Sequence, residues 1–436
     1  MTLLQNNEHD DRLQKLVGPR DWQSPQPHRL YDLVVIGGGT AGLVSAAIAA
    51  GLGAKTALIE SDLMGGDCLN YGCVPSKALL AVSHRLRYLR EAAEYGMPAS
   101  SGEVDFAKIM QRLRKLRADI AHHDSAQRFT DLGIDVFIGQ GEFLNEDTVH
   151  VISDDGGLRA LQFKRCVVAT GAHPASLHIE GIDTVAPMTN RDIFNLEKLP
   201  KRLTVIGAGP IGVEMAQAFA RFGSKVSMIA LDNQVLPRED AEAAQVVNQA
   251  LQDDGIELFL GAQISKFVAG DSSKQIHFEL NGQSHVVDAD EILLATGRAP
   301  NIDELDLAKA GISFDKAGVK VNDKLRTSNP RVYAAGDVIG DFQFTHAADA
   351  MARIVAGDAV PNPTASIRMP SDLSSAALSM AAASPPSTVC SPSVSRKTAR
   401  GMPERVLCRS AACAVAKPSD TDVPPLAAPT RRRACT

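Results

Sequence analysis

The chain has 436 residues, 44% of them hydrophobic and 22% charged, with 45 basic against 51 acidic side chains. At roughly 100–200 residues per domain this length gives two to four domains, which excludes a minimal scaffold, and the mildly negative balance argues against a nucleic-acid binder. No basic stretch leads into an apolar segment at the start, and the run from Ala41 to Ala54 is too short to cross a bilayer, so a cytoplasmic protein without membrane contact is expected.

Residues 1–30 are polar, contain Pro19, Pro25 and Pro27 and keep no hydrophobic period, which predicts a loosely held arm whose Trp22, the single tryptophan, packs on the body. At Tyr31 the text changes to DLVVIGGGTAG, a strand entering a glycine loop, and Leu43 to Ala50 continue as a helix. Backbone N–H groups at such a loop and the positive helix end hold a pyrophosphate, so Gly37, Gly39 and Gly42 are candidate dinucleotide contacts. Glu60, at the end of the following strand, is placed to accept from a ribose hydroxyl.

The phrase GGDCLNYGCVPSK covers residues 65–77 and sets Cys68 and Cys73 five apart. A redox-active disulfide that opens by thiol exchange fits this spacing; a structural disulfide is disfavoured in a reducing compartment, and half of a metal site lacks a second pair of ligands. Further on, Phe106, Ile109, Met110, Leu113, Leu116 and Ile120 recur at helical spacing, and Arg112, Arg114, Lys115 and Arg117 read as the solvated face of that helix. His84, His122 and His123 read as solvated side chains, and Cys166, in the strand CVVATG, as a small buried hydrophobe.

At 202 the strand, glycine loop and helix recur as RLTVIGAGPIGVE, with Gly207, Gly209 and Gly212 in the register of the first loop, so two homologous mononucleotide-binding units are expected. The position equivalent to Glu60 is Ala230, with Asp232 and Arg238 nearby, which leaves NAD against NADP open. Strands ending in small residues follow at EILLATG and RVYAAGD. Residues 357–436 then hold 11 prolines and 12 serines, ten basic against five acidic groups, and four scattered cysteines. Too little apolar side chain remains there to offset the entropy of ordering 80 residues, and disorder is expected.

Taken together, GGGTAG, GGDCLNYGCVPSK, GAGPIGVE, ATGRAPN and TSNPRVYAAGD resemble the pyridine nucleotide-disulfide oxidoreductases over about residues 31–355, most of all the mercuric reductase-like flavoproteins, with dihydrolipoyl dehydrogenase a close relative. The resemblance implies an α/β fold of two Rossmann-like domains: an FAD-binding domain at 31–175 and 299–356, and an NAD(P)-binding domain at 176–298. It further implies an enzyme taking electrons from NAD(P)H through FAD to the Cys68–Cys73 disulfide, and on to a thiol, disulfide or metal-ion substrate. Gly37, Gly39, Gly42, Glu60, Gly171, Gly297, Asp337 and Thr345 would contact FAD or its surroundings, and Gly207, Gly209 and Gly212 the nicotinamide nucleotide. Cys73 would face the flavin, Cys68 would attack substrate, and Lys77 with Glu214 would form an ion pair near the flavin; His346 would act through backbone position only. No resident metal is expected.

Beyond Arg353 nothing resembles the family's interface domain, and no histidine follows His346 to supply its acid-base group. The family homodimer is therefore expected to be lost or weakened and substrate turnover impaired, with dye reduction alone as the alternative activity. The abrupt change of text is consistent with a reading-frame change.

Overall fold

The computed structural model describes residues 7–98, 104–153 and 156–360; the expectations for the tail beyond residue 360 fall outside the described residues. The chain opens with helix α1 (Glu8–Val17), whose first turn is capped by Asn7 accepting from the N–H groups of His9 and Asp10. The arm is thus not loosely held, as its composition suggests. Leu13 and Val17 are fully buried, and Asp10 lies 2.8 Å from Arg117 with both side chains only 1% exposed. Trp22 packs on the body and donates its indole N–H to the Val136 carbonyl at 3.1 Å.

Next come β1 (Tyr31–Ile36), α2 (Thr40–Gly51) and β2 (Thr56–Glu60), then α3 (Gly66–Asn70), α4 (Cys73–Glu91), α5 (Phe106–Ile120), α6 (Ala126–Asp131) and β3 (Asp135–Ile138). β4 (Gln140–Asn145), β5 (Thr148–Ile152) and the long β6 (Leu158–Val168) form an antiparallel meander, and only the second half of β6 enters the parallel sheet beside β1. β1, β2 and the last residues of β6 are buried at nearly every position, as strands covered on both faces must be. Cys166 lies fully buried in β6, as its apolar neighbours imply.

The chain leaves this sheet through β7 (Ala172–Pro174) and the short α7 (Ile182–Val185). The second unit is β8 (Arg202–Ile206), α8 (Pro210–Phe222), β9 (Lys225–Ala230), α9 (Ala241–Asp253) and β10 (Glu257–Leu260), then the antiparallel β11 (Gln263–Ala269), β12 (Lys274–Leu280) and β13 (Gln283–Ala289), and β14 (Glu291–Leu294). Its parallel sheet has the order β10-β9-β8-β14. β15 (Arg298–Pro300) pairs with β7 and brings the chain back. A hairpin of β16 (Phe314–Asp315) and β17 (Gly318–Val319) precedes β18 (Val332–Ala334), which adds to β6 in parallel. The first sheet is therefore closed by residues from the far side of the second unit, so the first domain is discontinuous.

Helix α10 (Thr345–Ala359) packs on α2 and runs past the boundary at 356 that its sequence suggests. Helices α4 and α5 lie between the two units, where Phe106 meets Phe219 and Phe222 at ring separations of 5.8 and 6.1 Å. The basic face of α5 is only partly solvated: Arg114 and Arg117 turn inward onto Asp10. Among the described residues no helix is long and apolar enough to cross a membrane.

Candidate active site

Both glycine loops close in one way. Gly37 and Gly207 each have φ +107°, open to glycine alone, and a Cβ on Gly42 or Gly212 would overlap the carbonyl oxygen of Gly37 or Gly207. Gly209 has open space where a side chain would project, and Gly39 meets only the Cα of Gly66 at 3.7 Å, so both loops leave room for a phosphate. Glu60, at the C-terminal end of β2, accepts from the N–H of Gly38 at 2.5 Å and of Asp62 at 2.7 Å. Burial pushes its carboxyl up from the ordinary range, and these N–H groups oppose the shift. Ala230 ends β9 without an acceptor, while Leu231, Asp232 and Arg238 line the adjoining wall.

The two loops open on one cleft of about 2600 Å³ that also receives Cys68, Cys73, Lys77, Glu214, Gly171, Gly297, Asp337 and Thr345. Of the residues assigned from the sequence, Gly42 and Gly212 lie against the Gly37 and Gly207 carbonyls and do not line the cleft, while the others are brought together in it. Cys68 sits in α3 and Cys73 is the first residue of α4; both are free thiols here. The Cys73 sulfur lies 3.2 Å from the Thr345 hydroxyl, and Thr345 is the first residue of α10, so the positive ends of two long helices converge on one sulfur.

Cys68 hydrogen-bonds to Cys73, and that bond, with the Thr345 hydroxyl and the Lys77 charge, brings the Cys73 thiol down to about 6 despite burial. The same bond, in which Cys68 keeps its proton, joins burial to push the Cys68 thiol up. The pair thus favours the negative charge on Cys73, with Cys68 as its hydrogen-bond donor. One turn along α4, the Lys77 ammonium meets the Glu214 carboxylate of α8 at 2.5 Å, a link between the two units.

Two groups are not evident from the sequence, Arg298 in the cleft and Asp124 beside Gly65. Arg298, inside the phrase ATGRAPN, pairs with Asp67 and lies 3.5 Å from Asp337, and its Nε is buried without a hydrogen-bond acceptor. Asp337 is itself pushed up by burial. Asp124, just after α5, approaches Gly65 and has its carboxyl pushed up to about 6 by burial. The ring of His346 is exposed and stacks on Phe344.

Residues 31–352 match the family described as pyridine nucleotide-disulphide oxidoreductase. The chain is 35% identical over 331 residues to a mercuric reductase of Lysinibacillus sphaericus, covering 76% of this chain and 60% of that one. It is 31% identical over 340 residues to a dihydrolipoyl dehydrogenase of Geobacillus stearothermophilus, covering 77% and 71%. The HOCl-induced flavoprotein disulfide reductase RclA of Escherichia coli, solved as a Cu(II) complex, superimposes with a TM-score of 0.68 at 29% identity, covering 79% of this chain and 73% of that one. Relative to the mercuric reductase, then, this chain spans three fifths of the length.

Proposed function

The chain belongs to the pyridine nucleotide-disulphide oxidoreductase family, and from that premise we propose an NAD(P)H-linked, FAD-dependent oxidoreductase whose Cys68–Cys73 pair reduces a thiol-exchangeable or metal-ion substrate. The residues present fit both cofactors. A second dinucleotide needs a second glycine cradle, and the two loops share one backbone geometry. In the first unit, Glu60 is placed for a ribose hydroxyl, and the acceptor-less Arg298 Nε beside Asp337 suits the phosphate and ribityl stretch of FAD. In the second unit, Gly207, Gly209 and Gly212 would hold the nicotinamide nucleotide, with no carboxylate at Ala230 to repel a 2′-phosphate. Bound FAD would supply the two-electron hydride chemistry that no protein side chain offers.

The chain's own part is thiol chemistry. Cys68 passes its proton to the Cys73 sulfur and attacks one sulfur of a substrate disulfide, which expels the first substrate thiolate. Cys73 then attacks the Cys68 sulfur, its proton leaving with the second substrate thiol. The Cys68–Cys73 bond has formed and the substrate S–S bond has broken, so two electrons have moved. Thr345 and the helix ends hold the negative sulfur in place, and Lys77 with Glu214 fixes the wall where the two units meet.

The observation that carries this reading is the Cys73 sulfur at the N-terminal ends of α4 and α10, 3.2 Å from the Thr345 hydroxyl, inside the cleft that both glycine loops share. Anaerobic addition of NADPH or NADH tests it. A long-wavelength absorption from the Cys73 thiolate beside bound flavin is expected in the wild type and absent from Cys73→Ser, which retains FAD. Flavin-loaded wild type without that absorption would remove Cys73 from the role.

A further inference from the structure

We infer that the N-terminal arm, residues 14–26, is the outer wall of the adenosine pocket in the first nucleotide unit, with Trp22 as its aromatic surface. The inference rests on the reading that FAD occupies this unit, and it assigns a binding role to a segment outside the family's matched residues 31–352.

Geometry places the arm there. A dinucleotide in an open parallel sheet lies across the C-terminal ends of the strands. Those ends are in register, Ile36 opposite Ile59 and Glu60 opposite Ile138, so the ribose held at Glu60 has β3 as its outer neighbour. β3 is the edge of the sheet. The arm crosses that edge: the Trp22 indole N–H reaches the Val136 carbonyl at 3.1 Å, and the Ile138 N–H reaches the Ser24 hydroxyl at 3.4 Å. Gln14, Pro19, Trp22 and Gln26 line the same cleft as Gly39 and Glu60.

The wall is also fixed. The Met64 N–H donates to the Val17 carbonyl at 2.8 Å, tying the end of α1 to the loop that precedes α3. Deeper in, Arg117 joins Asp10 at 2.8 Å and the Asn70 carbonyl at 2.9 Å, with the Asp10 and Arg117 side chains each 1% exposed. Proline at 19, 25 and 27 stiffens the crossing itself. An adenine offers two flat faces and a polar rim, and a partly buried indole in a cleft wall that also carries Gln14 and Gln26 complements both.

Trp22 is the only tryptophan, so its emission reads this wall directly. Full-length protein stripped of flavin is titrated with ADP, which fills the adenosine half and absorbs nothing in the emission range, while displacement of FAD by ADP is followed separately. The inference predicts a saturable change in Trp22 emission over the ADP range that displaces FAD. It also predicts about tenfold weaker FAD binding in Trp22→Ala and near-wild-type binding in Trp22→Phe, the scale of losing one base–aromatic contact. ADP that displaces FAD while Trp22 emission stays constant overturns the wall and leaves the FAD reading intact, and this arm uses unaltered protein should Trp22→Ala not fold. Protein that takes up neither FAD nor ADP overturns both.

Discussion

At the scale of single residues the site is an arrangement of one proton between two sulfurs. Cys73 has a hydrogen-bond donor in Cys68, a second partner in Thr345 and a cation in Lys77, and its thiol comes down to about 6. Cys68 keeps its proton because the same hydrogen bond and burial push it up. The pH dependence follows from the sign: a depressed thiol is anionic above its own pKa, and its reactivity falls as pH drops through that value. Alkylation of the reduced protein by iodoacetamide, followed at Cys73 by peptide mass spectrometry, is expected to be half-maximal near pH 6. Thr345→Val removes a donor to the anion and raises that midpoint by about one unit; a midpoint at the free-cysteine value near 8.5 would contradict the arrangement. The cysteines were legible because a five-residue spacing beside a glycine loop is local text. Arg298 and Asp124 were not, because their importance comes from burial and from partners distant in sequence, such as Asp67 for Arg298.

Among elements, α1 departs most from its sequence reading. Residues 8–17 hold only three apolar side chains, Leu13, Leu16 and Val17, too short a stripe to stand out in a polar, proline-containing arm, yet Leu13 and Val17 are fully buried. The missing signal is the buried Asp10–Arg117 pair, whose partners lie 107 positions apart. The same pair explains why half of the basic face of α5 turns inward. A buried pair adds little net stability when intact but is costly to break, since one charge is then left without its partner. Asp10→Ala is accordingly expected to lower stability by about 3 kcal/mol in urea unfolding, whereas Asp10→Leu combined with Arg117→Met recovers most of the loss. A loss of under about 0.5 kcal/mol for Asp10→Ala would mean that α1 is not clamped. Helices α2, α5 and α8 were plain from the text by contrast, because glycine loops and apolar periodicity are carried within each segment.

Over the whole molecule, two copies of one nucleotide-binding design face a single cleft, and the dithiol helix lies between them. The repeat was visible as two glycine phrases in one register, and the sheets bear it out, with Gly37 and Gly207 sharing φ +107°. The return of β18 to the first sheet was legible only through the family's ordered motifs, since three residues, VYA, specify no partner strand by themselves. Reducing equivalents from NAD(P)H are expected to end on the Cys68–Cys73 pair, and an anaerobic count of electrons and thiols tests this. Flavin-loaded protein in the disulfide form is reduced with measured NADPH or NADH, quenched in denaturant and assayed for new thiols. Uptake of two electrons beyond those held by the flavin is expected, with the appearance of two thiols mapped to Cys68 and Cys73 and neither gain in Cys73→Ser. Full flavin reduction with no new thiol in the wild type would contradict it.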